Sequence, residues 1–259
     1  MEASDALVSI VVPAYNEAAT IVDVLRNVDA VPFPKEVILV DDGSTDGTAD
    51  LVDQLDLDGI RVIRQPTNRG KGAAVRVGIE ASRGRFVVIQ DADLEYDPVD
   101  LPRLLAPLQK GVADVVYGTR LRGGEPQRAH LFWHYVGNRF LSLMTNVLFN
   151  TTISDMEVGY KAFDGDLVRS IRLVSDDFAF EPEITAKVLR RRVRLYEVPI
   201  SYYGRTFEEG KKITWRDGFR AVFALLRFRF GPTSEPKPPV DRDYATAGNE
   251  DAGAPSARS

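Results

Sequence analysis

Three short segments hold the residues best suited to chemistry: Pro13-Ala14-Tyr15-Asn16-Glu17, Asp41-Asp42-Gly43-Ser44-Thr45-Asp46 and Asp91-Ala92-Asp93-Leu94-Glu95. The third is the most specific. Residues i and i+2 of an extended segment point to one side, so Asp91 and Asp93 can present two carboxylates to one divalent cation. Hard oxygen ligands suit Mg2+ or Mn2+, with phosphate oxygens and water completing the shell. A cation held there stabilises negative charge as it develops on a departing diphosphate. Glu95 is either a further ligand, direct or through water, or a solvated residue beside the turn at Asp97-Pro98. In the first two clusters Tyr15 can pack on a base or ribose, while Asp41 and Asp42 can accept hydrogen bonds from base N–H groups or ribose hydroxyls. Asp42 is the first choice for the nucleoside; Asp41 is the alternative, or it braces the turn before Gly43. A single acid in such a place is most often a turn residue or helix cap. Three clusters in register weaken that reading.

The elements that must position these clusters are legible in the hydrophobic pattern. Short runs rich in Val and Ile at Val8 to Val12, Glu36 to Val40, Ile60 to Ile63, Phe86 to Ile89 and Ala113 to Tyr117 read as buried parallel strands. Segments of helical spacing separate them. The first predicted helix starts from an N-cap at Asn16 and places Ile21, Val24, Leu25 and Val28 on one face; the others follow Asp46 and Asn68. This is an α/β chain with a doubly wound, mostly parallel sheet, in which ligands bind beyond the carboxyl ends of the strands. The acidic clusters stand at those ends.

Composition removes several other classes. The 259 residues include no cysteine, which excludes disulfides and thiolate zinc, and only two histidines, His130 and His134, so any metal must be oxygen-ligated. A net charge of −5 argues against general nucleic-acid binding. No window approaches the roughly 18–20 apolar residues of a membrane span. The first seven residues lack a basic, apolar leader, so the chain is expected to stay in the cytoplasm. A second phosphate-binding candidate, Asn68-Arg69-Gly70-Lys71-Gly72-Ala73-Ala74, is glycine-rich and opens a helix, but it has neither Walker nor dinucleotide-fingerprint spacing. Either Lys71 offsets diphosphate charge or the glycines only permit close packing.

In order along the chain, residues 8–17, 41–48 and 91–93 resemble the large family of inverting glycosyltransferases with a nucleotide-sugar-binding (glycosyltransferase A type) fold, family 2. Within it the chain looks most like polyprenyl-phosphate (dolichyl-phosphate) mannose or glucose synthases. The resemblance runs from about Val8 to Arg229. It implies nucleoside and diphosphate binding by Pro13, Tyr15, Glu17, Asp42, Asp91 and Ala92, a place beside the donor for Lys71, and a metal at Asp91 and Asp93, with Glu95 the further ligand considered above. Asp93 is counted with the catalytic residues.

The later part of the chain is expected to build the acceptor side. Tyr117-Gly118-Thr119-Arg120 ends the fifth strand, and an arginine's planar fork suits an acceptor phosphate. The synthases carry Gly-Ser-Arg here, which makes Arg120 the acceptor-phosphate candidate, with Arg128 and Arg139 as possible helpers or solvated residues. The segment Asp155-Met156-Glu157-Val158-Gly159-Tyr160 resembles the family's Asp-x-x-x-Gly-Phe, with Tyr160 in place of phenylalanine. A hydroxyl acceptor would need Asp155 as general base, whereas a lipid phosphate is already anionic and would leave Asp155 an orienting role. A glycine-hinged loop ending in Arg205 to Lys212 resembles one that closes over the diphosphate, without the usual serine.

Two helices bear on membrane contact. Leu131 to Phe149 is apolar nearly all round, which by default means core and otherwise means lipid. Trp215 to Phe230 interleaves aromatics with Arg216, Arg220, Arg227 and Arg229, which suits an anionic headgroup layer or packing on the domain. The expected organisation is a leader (1–7), a catalytic domain (8–230, donor-binding to 118 and acceptor-binding from 119) and a disordered tail (231–259). The expected activity is metal-assisted transfer of a hexose, with inversion, from GDP-mannose or UDP-glucose to a polyprenyl phosphate. It would serve cell-wall glycan synthesis at the inner membrane face. The alternative is a hydroxyl acceptor.

Overall fold

The computed structural model describes residues 7–55, 57, 59–124, 132–204 and 215–232. The expected leader and tail, Arg128, Arg205 and Lys212 lie outside the described residues, apart from Leu7 at the front and residues 231 and 232 at the back.

Val8–Ala14 forms β1, and every one of its seven residues is buried, as a strand covered on both faces must be. The others are β2 (Lys35–Asp41), β3 (Ile60–Arg64), β4 (Phe86–Ile89), β5 (Val115–Thr119), β6 (Lys161–Asp164) and β7 (Leu195–Pro199). They make one seven-stranded sheet in the order β3-β2-β1-β4-β6-β5-β7. All described pairings are parallel except those of β6, which runs antiparallel to both β4 and β5. The sheet is therefore mostly parallel, as expected. The strand β6 carries no Val- or Ile-rich run, and its identity was not predicted.

Helices α1 (Ile21–Asp29), α2 (Thr48–Asp53), α3 (Lys71–Ala81), α4 (Leu101–Gln109), α5 (Phe132–Phe149), α6 (Gly165–Arg169), α7 (Phe180–Arg190) and α8 (Trp215–Phe230) fill the connections. The face predicted for α1 is the one it buries, Ile21, Val24, Leu25 and Val28. In α4 the buried set is Leu101, Leu104, Leu105 and Leu108, again one stripe, and each such side chain contributes on the order of 2 kcal/mol.

Two strands are longer than the pattern suggested. Pro13 and Ala14 belong to β1 and Asp41 closes β2, so the first two clusters begin inside the sheet. Asn16 is no helix cap. It adopts φ 54, and its Oδ1 accepts from Thr45 N at 2.9 Å, tying the first cluster to the second. Helix α1 starts five residues later, with Thr20 at its N-cap.

The reading of α5 as core holds for one face only, where Leu141, Ser142 and Thr145 are buried. Trp133, Val136, Phe140, Leu143 and Val147 recur at three- and four-residue intervals and are all exposed, from 39% for Val136 to 77% for Trp133. On α8, Phe219, Phe223, Leu226 and Phe230 form a similar exposed stripe. The two helices pack on each other and on α7. No helix among the described residues is long and apolar enough to cross a membrane.

Candidate active site

The clusters converge at the carboxyl ends of β1, β2 and β4, which are adjacent in the sheet. Tyr15 is 37% exposed just beyond β1, whereas Pro13 is buried within the strand. Glu17 N donates to Thr48 Oγ1 at 3.0 Å, and Glu17 Oε2 accepts from Thr20 Oγ1 at 3.3 Å. Asp41 Oδ1 accepts from Ser44 N at 3.2 Å, the turn-bracing geometry considered above. Asp42 is buried and holds the next loop: it accepts from Arg69 N (3.0 Å), Gly70 N (2.7 Å) and Gln65 Nε2 (3.0 Å). Burial raises its carboxyl pKa against those donors.

That bonding redefines the glycine-rich loop. Two of its amides go to Asp42, and a third, Ala73 N, goes to Asp176 O at 3.1 Å, so these groups are not open to a phosphate. Gly70 has φ +100, and a Cβ there would collide with the Asp176 carbonyl, so close packing is what this glycine provides. Lys71 nevertheless enters the site. Its Nζ lies 2.8 Å from Asp91 Oδ1 and 3.3 Å from Glu181 Oε1. Burial lowers the lysine's pKa, but Asp91 and Glu181 outweigh this and hold it protonated, well above its ordinary value.

Ala92 is buried between Asp91 and Asp93, which remain partly exposed on either side, and its carbonyl accepts from Thr20 Oγ1 at 2.6 Å. The 91–97 segment is bent, with Leu94 at φ 58, and Glu95 N donates to Asp93 Oδ1 at 3.2 Å. Glu95 Oε2 accepts from Tyr202 Oη at 2.7 Å. Among the described residues no three His, Asp or Glu side chains are gathered as for a metal. The donor set still fits a hard cation: Asp91, Asp93 and Glu95 offer only oxygen, and the half-buried Lys71 beside Asp91 marks a place that attracts positive charge.

Arg120 and Asp155, thirty-five residues apart, form a buried bidentate pair. Arg120 Nε and Nη2 lie 2.7 and 2.8 Å from Asp155 Oδ2 and Oδ1, and Arg120 N adds a third bond to Oδ2 at 3.1 Å. Burial raises the Asp155 pKa, but the guanidinium more than offsets it and holds the carboxyl below its ordinary range. Asp155 is thus an ionised partner of Arg120 with both oxygens engaged. The guanidinium also lies over the Tyr202 ring, 4.9 Å from its centroid. Neighbours brace the pair. Glu197 Oε1 accepts from Ser154 N at 2.8 Å and Asp155 N at 3.2 Å, and Arg122 pairs with Glu197 at 3.0 Å. From α5, Asn146 bonds both the N–H and the carbonyl of Ile153, and Ser142 Oγ accepts from Met156 N. Arg139, the suggested helper, is exposed on α5.

Sequence reasoning missed Glu181, Lys161 and Glu157 as site residues. Glu181 bridges Lys71 and Lys161, and Lys161 also donates to Val158 O. The one available signal was charge inside apolar runs, at Lys161 in Tyr160-Lys161-Ala162-Phe163 and at Glu181 beside Phe180.

Fold and site together define a glycosyltransferase of the nucleotide-sugar-binding type. Glucosyl-3-phosphoglycerate synthase from Mycobacterium tuberculosis, crystallised with Mn2+, UDP and phosphoglyceric acid, has the same fold. It superposes with a TM-score of 0.69 at 23% identity over 88% of this chain and 80% of that one. The family model for glycosyl transferase family 2 matches residues 9–172, and the chain belongs to that family. Glycosyltransferase AglJ of Haloferax volcanii is 34% identical over 88% of this chain and 73% of its own. An undecaprenyl-phosphate mannosyltransferase of Micrococcus luteus is 32% identical over 78% and 85%, and a dodecaprenyl-phosphate galacturonate synthase of Rhizobium johnstonii is 28% identical over 86% and 66%. The motif resemblance is borne out at the level of the family and of its polyprenyl-phosphate members.

Proposed function

We propose that the chain transfers a hexose from a nucleoside diphosphate sugar to a polyprenyl phosphate, with inversion, at a membrane surface. The observation that carries the acceptor half is the state of Asp155. A hydroxyl acceptor needs a base, and Asp155, ionised and gripped at both oxygens by Arg120, is poorly placed to take a proton. A phosphate monoester needs none. Its oxygen bonds to the anomeric carbon as the bond from that carbon to the diphosphate oxygen breaks, and the nucleoside diphosphate leaves.

In this reading Tyr15 stacks on the nucleoside, with Pro13 and Glu17 shaping its wall and Asp42 holding the 65–70 loop against it. Lys71 brings a fixed positive charge to the diphosphate. Asp91, Asp93 and Glu95 would hold Mg2+ or Mn2+, which when bound stabilises charge on the leaving diphosphate. Arg120 remains the acceptor-phosphate candidate at the edge of its pair with Asp155.

The membrane part rests on the exposed aromatic stripes of α5 and α8, with Arg220, Arg227 and Arg229 on α8. Helix α5 also holds the loop that carries Asp155, so a bilayer that seats α5 would bring a lipid phosphate towards Arg120. The names of the undecaprenyl- and dodecaprenyl-phosphate relatives point to the same acceptor class.

To test the reading, purified protein is incubated with Mg2+ or Mn2+, a panel of GDP- and UDP-sugars and a short polyprenyl phosphate, and nucleotide release and lipid product are scored. A lipid-linked hexose with one or more donors is expected. No lipid product with any donor would refute it.

A further inference from the structure

The acid in this segment that the motif singles out, Asp155, is spent on Arg120; the other, Glu157, is not. Its Oε1 is enclosed and has no hydrogen-bond partner among the described residues. Burial pushes its carboxyl pKa up to about 7; Glu181 adds to the rise, Lys161 and Arg120 oppose it, and Asp155 raises it slightly. An enclosed carboxyl oxygen with no donor is costly to keep, and the cost falls when a ligand brings the donor.

Its position says which ligand. Two residues on, Gly159 sits so close to Asp91 that a Cβ there would collide with Asp91 Oδ2, and Gly159 N donates to Tyr96 Oη at 2.9 Å. On the other side Lys161 joins Glu181, Glu181 meets Lys71, and Lys71 meets Asp91. The segment holding Glu157 therefore packs against Asp91 and its ion pairs, beside the place where the proposed reading puts the diphosphate and its sugar. Phosphates offer that segment only acceptor oxygens and negative charge. A hexose offers hydroxyl donors at positions fixed by its stereochemistry.

We propose that Glu157 reads the donor sugar, its carboxyl receiving hydrogen bonds from the sugar hydroxyls and so setting which epimer is preferred. This inference rests on the nucleotide-sugar reading above.

The test is calorimetric binding to the full chain without acceptor, comparing wild type, E157A and E157Q. The probes are a free nucleoside diphosphate and nucleoside diphosphate hexoses that differ at one hydroxyl-bearing carbon. E157A is expected to weaken sugar-nucleotide binding about tenfold and to compress the ratio between epimers. Binding of the free nucleoside diphosphate should stay at the wild-type level. E157Q, isosteric and retained should the alanine variant not fold, is expected to shift the epimer ratio with nucleoside diphosphate affinity unchanged. An unaltered epimer ratio, or equal weakening of sugar nucleotide and free nucleotide, would overturn this inference alone. Failure of the wild type to bind any sugar nucleotide would overturn the underlying reading, and this inference with it.

Discussion

The half of the chain read as donor-binding and the half read as acceptor-binding solve the same problem, placing charge at a strand end, in different ways. In the first, β1, β2 and β4 run parallel and each delivers an acidic loop directly from its own end. Bonds join these loops to each other and to the loop after β3: Asn16 to Thr45, and Asp42 to Arg69 and Gly70. In the second half β6 runs antiparallel, and the charges are assembled from distant segments into buried pairs such as Arg120 with Asp155 and Lys161 with Glu181. The donor side is partly open and built of acids that would hold the proposed cation. The acceptor side is closed, paired and braced by a helix with an apolar outer stripe. Substitutions should therefore cost chemistry in the first half and both stability and chemistry in the second.

The largest expected effect lies on the donor side. Asp93→Asn should lower transfer by about 10²–10³-fold with an unchanged thermal midpoint, read as nucleotide release under saturating Mg2+ or Mn2+. A comparable loss of stability would erase the contrast between the halves.

Next comes the buried pair. Asp155→Ala leaves Arg120 charged and enclosed and should destabilise the fold by about 3–5 kcal/mol in urea unfolding. Replacing both partners by apolar residues should recover most of that stability and none of the transfer activity. Asp155→Asn should also lower turnover, and full activity in that variant would remove the residue from the site.

Glu157 provides a pH test. Its carboxyl pKa rises from an ordinary 4.5 to about 7 in the folded protein, so folding favours the protonated form. The stability it contributes is present below about pH 4.5 and is lost as pH rises through 7, amounting to up to about 3 kcal/mol. E157Q should therefore match the wild type near pH 4.5 and exceed it at pH 8. Parallel stability–pH curves would contradict the assigned environment.

The smallest effect on folding belongs to the outer stripe. Phe140→Ser with Leu143→Ser should change stability by less than about 1 kcal/mol, because both side chains are already exposed. Sedimentation with phosphatidylglycerol vesicles should nevertheless fall by about tenfold or more, given ~0.8 kcal/mol per buried CH2. Unaltered vesicle binding would leave the stripes without their proposed partner, and a concentration-dependent dimer lost in the variant would assign them to a second copy.

The same contrast explains what could be read without coordinates. Strand runs such as Val8 to Val12, and the loops that follow them, are local patterns, and they placed Tyr15, Asp42, Asp91 and Asp93 correctly on one edge. The pairing of Arg120 with Asp155 spans 35 residues, and that of Lys71 with Glu181 spans 110, distances over which a single sequence carries no signal. Helix α5 stays open between core and lipid in the sequence because an apolar run looks the same whether it faces the core or solvent; only the positions of α7 and α8 reveal which stripe is left outside. Glu157 was passed over as one acid beside a motif. Its meaning depends on enclosure, and composition does not report that.

The most direct test of the central claim compares two acceptors of the same chain length, a short polyprenyl phosphate and the corresponding polyprenol, with one donor and the purified protein. With Asp155 held ionised by Arg120, product is expected from the phosphate and none from the alcohol. Equal or faster transfer to the alcohol would mean that a base operates in the site, and would contradict the account.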